Sequence, residues 1–161
     1  MKSVLEVCAA LPEATYQPGE VLIREGCSEG RIFVLLEGTV LVMKGDVRVT
    51  RVRTPGALFG EMSILLEMPA TATVVAETEI RVHKVDDGGA FLASTPEVAL
   101  HTARLLAQRL HDTTTYLADV KAQFENKTDH FGMVDRIIGS LLNQQPAKTT
   151  AKTPEKSDPR L

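Results

Sequence analysis

Short apolar runs separated by Gly, Pro and Asp fill the first half of the chain. Gly, Pro and Asp favour turns, and short apolar runs between turns favour strands. The pattern predicts strands at residues 21–23, 32–36, 39–43, 47–52, 73–76 and 80–85. Gly45-Asp46 lies between two of these runs and predicts a hairpin tip. Many short strands at nearly regular spacing are typical of a β-sandwich or β-roll.

A short helix is predicted before these strands. Residues 3–11 carry an apolar face of helical period, and Pro12 ends it. After the last strand, Gly88-Gly89 predicts either a flexible hinge or an ordinary turn.

A long helix with a heptad seam is predicted next. Proline suits the first helical position, so we expect the helix to begin at Pro96 with Thr95 as its cap. Small and apolar residues then recur at alternating gaps of three and four. The seam consists of Ala103, Leu106, Leu110, Thr113, Leu117, Val120 and Phe124. A stripe this narrow favours packing between two chains, so we expect a homodimer; packing on the helix's own domain is the alternative.

The chain ends in a predicted helix and tail. After a break at residues 126–128, Asp129 is the expected cap of a last amphipathic helix. Its apolar residues are Val134, Ile137, Ile138, Leu141 and Leu142. From Gln144 onward no apolar period remains, which predicts a disordered tail.

Composition narrows the classes of function. The 161 residues have a formal net charge of −3, 4% aromatic residues and no Trp, which argues against a nucleic-acid-binding surface. Cys8 and Cys27 lack CxxC spacing and the four histidines lack the spacing of metal ligands. We therefore expect neither a disulfide nor a metal. Without a signal peptide or a run as long as a membrane span, we expect a cytoplasmic protein.

The most informative stretch begins at Phe59-Gly60-Glu61. A glycine that opens a helix leaves amide groups without internal partners and lets an anion approach the backbone closely. A bare phosphate would repel Glu61, whereas a sugar hydroxyl would donate to it. Ala70 to Thr73 follow with small side chains and two hydroxyls. Together these residues predict a pocket for a ribose joined to a phosphate, with a turn and helix cap in an ordinary jelly roll as the alternative.

The wider spacing of glycines resembles a known family. The run Pro18-Gly19 to Gly26, the run Ile32 to Gly38, Pro55-Gly56 and Pro69-x-Thr71-Ala72-Thr73-Val74 accompany Gly60-Glu61. Over residues 16–110 this arrangement resembles the cyclic-nucleotide-binding domain of the catabolite-activator-like superfamily. Residues 59–63 and 70–73 then correspond to its phosphate-binding cassette, hereafter the cassette. Residues 90–93 resemble the family's short helix after the roll, so a second short helix is expected there.

The resemblance implies a set of ligand-binding residues. Glu61 would accept from the ribose, the backbone near Met62, Ser63, Thr71 and Ala72 would meet the phosphate, and the purine would lie beside the long helix. The implied residues are Phe59, Gly60, Glu61, Met62, Ser63, Ala70, Thr71, Ala72, Thr73, Thr113 and Thr114. In the family a threonine at the position of Thr71 is often associated with cyclic GMP, so both cAMP and cGMP stay open.

One position departs from the family. An arginine that pairs with the cyclic phosphate is expected after the cassette proline, and here the residue is Ala70. Losing such a charge-assisted contact costs about 2–5 kcal/mol. An arginine from elsewhere would compensate. The candidates on the preceding strand are Arg48, Arg51 and Arg53, which otherwise form a solvated strand face; Arg31 and Arg81 are weaker candidates.

The expected fold is mainly β with flanking helices, of the α+β class. A jelly-roll-like β-roll precedes a long dimer helix and a short C-terminal helix. The expected parts are an N-terminal helix (1–12), the β-roll with the cassette (13–93), the dimerisation helix (94–126), the C-terminal helix (127–143) and the disordered tail (144–161).

The sequence is compatible with two functions. The resemblance implies a stand-alone, non-catalytic sensor of cAMP or cGMP that acts on a protein partner through its dimer helix. The helix-turn-helix module of the resembled regulators is not expected, nor is a DNA or membrane partner. The alternative, which Ala70 supports, is a degenerate domain that serves as a dimerisation or interaction scaffold without useful nucleotide binding.

Overall fold

A computed structural model describes residues 2–124 and 131–143 of the chain. Its elements in chain order are α1 (Val4–Cys8), β1 (Glu13–Tyr16), β2 (Val21–Ile23), β3 (Ile32–Glu37), β4 (Val40–Lys44), β5 (Val47–Val52), β6 (Leu58–Phe59), α2 (Glu61–Leu65), β7 (Thr73–Ala76), β8 (Ile80–Val85), α3 (Gly88–Ser94), α4 (Pro96–Gln123) and α5 (Phe131–Asn143).

The described strands form two four-stranded antiparallel sheets. The first has the order β1-β8-β3-β6 and the second the order β2-β7-β4-β5. Side chains from the facing sides of both sheets make one apolar cluster, which includes Leu22, Phe33, Leu35, Val74 and Val82. The predicted β-roll with flanking helices is confirmed.

All six predicted strands are present, with ends shifted by a residue in β3 and β4. The hairpin tip at Gly45-Asp46 is also present, since Lys44 pairs with Val47 across it. Two strands were not predicted. β1 alternates exposed and half-buried residues and has little apolar content, and β6 is only two residues long.

β3 contributes two buried residues to each of the two apolar clusters. Phe33 and Leu35 point into the roll, whereas Ile32 and Val34 join a second cluster on the other face of the strand. That cluster also contains buried side chains of α1, α3 and the start of α4. A strand covered on both faces is a continuous apolar run, which is why this strand is the clearest in the sequence.

The short helices differ in detail from the prediction. α1 ends at Cys8 rather than at residue 11, and Ser3 is its cap. The Ser3 hydroxyl accepts from the Glu6 amide, and the Glu6 carboxylate accepts from the Ser3 amide. Gly88 and Gly89 form the first turn of α3 rather than a hinge before it. A Cβ on Gly88 would lie 2.4 Å from Ile64 Cδ1 and 2.9 Å from the Gly30 oxygen, so this glycine permits close packing.

The chain divides into two compact units, residues 1–106 and 107–161. α4 begins at Pro96 as predicted. In the second unit, Lys121 near the end of α4 is hydrogen-bonded to Asp135 of α5. The expected cap at Asp129 and the expected disordered tail from Gln144 lie outside the described residues. Among the helices that the structure describes, none is long and apolar enough to cross a membrane.

Candidate functional site

The candidate site begins at the backbone elbow of Gly60. This residue has φ 96° and ψ −8°, a left-handed conformation that L side chains rarely adopt. A Cβ at this position would lie 2.2 Å from the carbonyl oxygen of Arg31. The elbow is therefore held directly against the start of β3, and only glycine fits there.

Glu61 follows the elbow and is buried, with 4% of its surface exposed. Carboxylates are rarely buried to this extent in proteins. On either side, Phe59 is a core residue and Met62 is 41% exposed. The Ser63 hydroxyl donates to the Met68 carbonyl at 2.6 Å, and this bond closes the loop after α2.

The second half of the cassette is tied to the turn after β2. The Gly26 amide donates to the Ala70 carbonyl at 2.8 Å, and the Ala70 amide donates to the Cys27 carbonyl at 2.9 Å. The Glu25 amide donates to the Thr73 hydroxyl oxygen at 3.0 Å. Residues 24–27 and 70–73 therefore act as one locally paired unit, although the sequence separates them by more than forty residues.

A charged group on the β4–β5 hairpin fixes the same segment. Lys44 Nζ donates to the Thr71 carbonyl and to Glu25 Oε1, both at 2.7 Å. The Gly45 amide donates to the second oxygen of Glu25 at 2.8 Å. The hydrogen bond from Lys44, and then that from Gly45, hold the pKa of the Glu25 carboxyl below its ordinary value.

The two halves of the cassette meet at one cavity. Gly60, Ser63 and Ala70 line it on one side, and Arg24 and Arg31 are among its other lining residues. Its volume is about 20 Å³, close to what one water molecule needs. A nucleotide would have to widen this cavity or extend out of its mouth. We call it the cassette cavity.

The cassette residues after Ala70 make no part of this lining, and neither do Phe59, Glu61 and Met62. Thr71, Ala72 and Thr73 are half-buried beside it. The Thr71 carbonyl and the Thr73 hydroxyl already have the partners given above. Their observed bonds are structural, and a role toward a ligand stays a prediction.

Four of the five predicted substitute arginines do not line the cavity. Arg51 pairs with Glu77 at 2.7 Å, and Arg81 lies 3.5 Å from Glu13. Arg48 and Arg53 are exposed and do not line the cavity. Arg31, a weaker candidate from the sequence, does line it, and so does Arg24, which sequence reasoning missed. Its position directly before Glu25-Gly26, in a turn of the family pattern, was the available signal.

The residues expected to contact the base are in the second unit. The exposed Thr113 donates its hydroxyl to the Arg109 carbonyl at 2.7 Å. The hydroxyl oxygen of Thr114 is buried and has no hydrogen-bond partner in the part of the chain that the structure describes. Contact of either threonine with a base stays a prediction.

The heptad seam of α4 is incompletely covered. Leu110 and Phe124 are 44% and 45% exposed. Ala103 is also exposed, whereas Leu106, Leu117 and Val120 are half-buried.

No group of three or more His, Cys, Asp or Glu within residues 2–124 and 131–143 has the arrangement of a metal site.

Comparison with known proteins identifies relatives of this chain. The cyclic nucleotide-binding domain family matches residues 13–89. The solved N-terminal domain of a transcriptional regulator from Streptomyces coelicolor A3(2) is 31% identical, with a TM-score of 0.50. The match covers 69% of this chain and 81% of that one.

Two curated relatives belong to different signalling systems. The CRP-like cAMP-activated global transcriptional regulator of Mycobacterium tuberculosis is 28% identical over 116 residues, which cover 68% of this chain and 52% of that protein. The cAMP-dependent protein kinase type II regulatory subunit of Drosophila melanogaster is 37% identical over 73 residues, 45% of this chain and 19% of that protein. The chain thus spans about half the length of the first relative and less of the second.

Proposed function

Because this chain belongs to the cyclic nucleotide-binding domain family, we propose that it is a non-catalytic sensor that binds a cyclic purine nucleotide at the cassette. The observation that carries the proposal is the meeting of the Gly60 elbow and Ala70 at one cavity, with the buried Glu61 directly after the elbow. Both named relatives are regulators or regulatory subunits rather than catalysts.

In this proposal, different residues bind the ribose, the phosphate and the base of the nucleotide. Glu61 accepts hydrogen bonds from the ribose hydroxyls, a use that suits a carboxylate kept out of solvent. The backbone near Met62 and Ser63 and the segment Thr71–Ala72 meet the phosphate oxygens. Thr113 and Thr114 of α4 supply hydroxyls for the base.

Two nucleotides are candidates for the ligand. The printed names of both curated relatives refer to cAMP. Thr71 carries a hydroxyl that suits the additional hydrogen-bonding groups of guanine. We propose that the site accepts cAMP or cGMP and that their relative affinity depends on this hydroxyl.

The output of the sensor is movement of α4. We propose that its incompletely covered seam joins two copies of the chain, and that nucleotide binding shifts the population between two packings of these helices. A protein partner reads that shift. An equilibrium of this kind moves only by the difference in ligand affinity between the two packings.

A second candidate function is a scaffold without useful nucleotide binding. Ala70 and the small volume of the cassette cavity favour it. In that case the seam of α4 still makes the dimer, and the cassette is structural only.

Calorimetric titration with cAMP and cGMP separates the two functions. The sensor predicts saturable binding to the wild-type chain. It also predicts binding about tenfold weaker or worse in Glu61→Gln, because that substitution removes an ionised acceptor. Glu97→Gln is the matched control, since Glu97 is an exposed acidic residue in the first turn of α4. Absence of heat at millimolar nucleotide in the wild-type chain leaves the scaffold.

Cys27 offers an independent readout of occupancy. It lines the cassette cavity and is half-buried, whereas Cys8 is fully buried. A thiol reagent should therefore modify Cys27 first, and bound nucleotide should slow that reaction. Modification at an unchanged rate with saturating nucleotide contradicts binding at this cavity.

Sedimentation analysis tests the dimer. The seam predicts a dimeric wild-type chain and a monomeric Leu117→Glu variant, because a charge cannot be buried in an apolar seam without a partner. Asp119→Lys, on an exposed position of the same helix, is the control. A monomeric wild-type chain contradicts the proposed output.

A further inference from the structure

The proposed ligand carries a negative phosphate, but the cassette itself supplies no positive charge to it. Residue 70 is Ala, with no side chain beyond its methyl group. α2 has only five residues, so its dipole is small and offers weak compensation. A phosphate in a partly dehydrated cavity needs a cation to offset its lost hydration. The cation must therefore come from another element.

Two arginines line the cassette cavity beside Ala70. Arg24 lies at the end of β2 and Arg31 directly before β3. The Arg31 backbone is the surface against which Gly60 packs. Arg24 begins the segment that is hydrogen-bonded to Ala70 and Thr73. Both positions are thus fixed relative to the cassette by its own backbone contacts.

The two guanidinium groups differ in their partners. Arg31 Nη1 lies 2.7 Å from Glu29 and its Nε lies 3.4 Å from Asp86. The Arg24 side chain makes no ion pair or hydrogen bond with any residue that the structure describes. Arg31 is therefore already partly neutralised by Glu29, which also lines the cavity, whereas Arg24 has no ion-pair partner among the described residues.

We propose that Arg24, with Arg31 as a secondary contact, supplies the positive charge that binds the cyclic phosphate in place of an arginine at position 70. This inference rests on the proposed function, since it assigns the phosphate partner of that same site. A guanidinium matches two phosphate oxygens with two parallel N–H groups. Arg24 can turn toward an anion without breaking an existing pair, which Arg31 cannot do.

The assignment predicts a phosphate-specific effect. Arg24→Ala should weaken binding of cAMP or cGMP about tenfold or more, in line with loss of a hydrogen-bonded charged contact. Binding of the uncharged nucleosides adenosine and guanosine should be unchanged, because they lack the phosphate. Arg31→Ala should have a smaller effect on the cyclic nucleotides. Arg48→Ala is the control, since Arg48 is an exposed arginine that does not line the cavity.

The experiment is a calorimetric comparison of these variants in the full chain at two salt concentrations. Screening should narrow the difference between wild type and Arg24→Ala at the higher salt. In an Arg24→Ala background, Ala70→Arg should restore affinity for the cyclic nucleotide. Because Arg24 is exposed and unpaired among the described residues, its loss should leave the thermal unfolding midpoint unchanged.

Three outcomes overturn the inference in distinguishable ways. If Arg24→Ala binds cyclic nucleotide as the wild type does, the inference is wrong and the proposed function stands. If the variant loses nucleoside and cyclic nucleotide equally, Arg24 does not act on the phosphate. If the wild-type chain binds neither cyclic nucleotide, the proposed function and this inference both fail.

Discussion

The β-roll and the helical region after it bury their apolar side chains to very different extents. In the roll, Ile32, Leu35 and Val40 have no exposed surface, and they belong to clusters that are closed by other parts of the same unit. α4 has buried residues only at Val98 and Thr102, which precede residue 107. Among the described residues of 107–161, none is buried.

The roll closes its apolar core within one unit, whereas the helical region leaves large apolar side chains exposed. Burying one large apolar side chain contributes about 1.5–3 kcal/mol to the free energy of folding, and the roll buries many such side chains within one chain. In the second unit, Leu110 of α4 and Met133, Ile137 and Leu142 of α5 are between 43% and 68% exposed. Apolar surface in such amounts indicates an interaction face. The proposed ligand site and the proposed output helix therefore lie in regions that bury their apolar side chains to different extents.

The largest effect is expected from truncating the same side chain in each region. Leu35→Ala should lower the free energy of unfolding of the roll by about 4 kcal/mol, because it leaves a cavity among fully buried neighbours. Leu110→Ala should change the free energy of unfolding of the roll by less than about 0.5 kcal/mol, since Leu110 lies outside the roll and is 44% exposed. Urea denaturation followed by circular dichroism measures both. Equal losses would remove the distinction between the two regions.

A second test concerns how rigidly the roll holds the cassette. Gly60→Ala should destabilise the roll by about 3 kcal/mol, because it adds a left-handed non-glycine residue and a clash with the Arg31 carbonyl. Gly45 also has a positive φ, but a Cβ there meets nothing within 4 Å. Gly45→Ala should therefore cost only about 1 kcal/mol. Thermal unfolding of both variants separates the free-energy cost of the clash with the Arg31 carbonyl from the cost of the left-handed backbone conformation.

If Gly60→Ala is no worse than Gly45→Ala, the elbow adjusts easily and the cassette is not preorganised. Nucleotide titration of the same Gly60→Ala variant then adds a functional readout. A rigid elbow predicts loss of affinity together with loss of stability.

The sequence predicted much of this architecture because the relevant signals are local. Six strands, the hairpin tip and the start of α4 follow from neighbouring residues, and the family resemblance rests on glycine spacing. The positively charged groups of the cassette cavity were not predictable in the same way. Arg24 and Arg31 reach it through hydrogen bonds and backbone packing between segments far apart in the chain. Arg24 directly precedes Glu25-Gly26 of the family pattern, but spacing alone does not show that Arg24 and Arg31 line the cavity.

Gly88-Gly89 illustrates the same limit. Two consecutive glycines favour a hinge by their local conformational freedom. In the fold, α3 begins with them, and Gly88 is required by its contacts with Ile64, Ile32 and Gly30. The constraint comes from tertiary packing that the dipeptide itself does not encode.

Substituting each glycine of this pair should therefore have opposite effects. Gly88→Ala should destabilise the roll by about 1–2 kcal/mol, because its Cβ would lie 2.4 Å from Ile64 Cδ1 and 2.9 Å from a backbone oxygen. Gly89→Ala should stabilise it by about 0.5–1 kcal/mol, since its nearest neighbours are 3.8 Å away and alanine favours a helix. Denaturant midpoints of both variants decide the matter. A gain in stability from both would mean that α3 is loosely attached to the roll.

The smallest effect is expected at the surface of the roll, where Lys44 joins Glu25 to the cassette. The hydrogen bond from Lys44 lowers the pKa of Glu25 in the folded state. The stability that this bond contributes is therefore present above pH 4.5, the ordinary pKa of the carboxyl group, and is lost as the pH falls through the lower folded-state pKa. Lys44→Met should bring the pKa of Glu25 back toward that ordinary value and reduce this acid-dependent loss. Carboxyl titration by NMR, with Lys2→Met as control, measures the shift. Because Lys44 also donates to the Thr71 carbonyl, a return of the Glu25 pKa with unchanged amide signals at residues 70–73 would mean that the hairpin does not position the cassette.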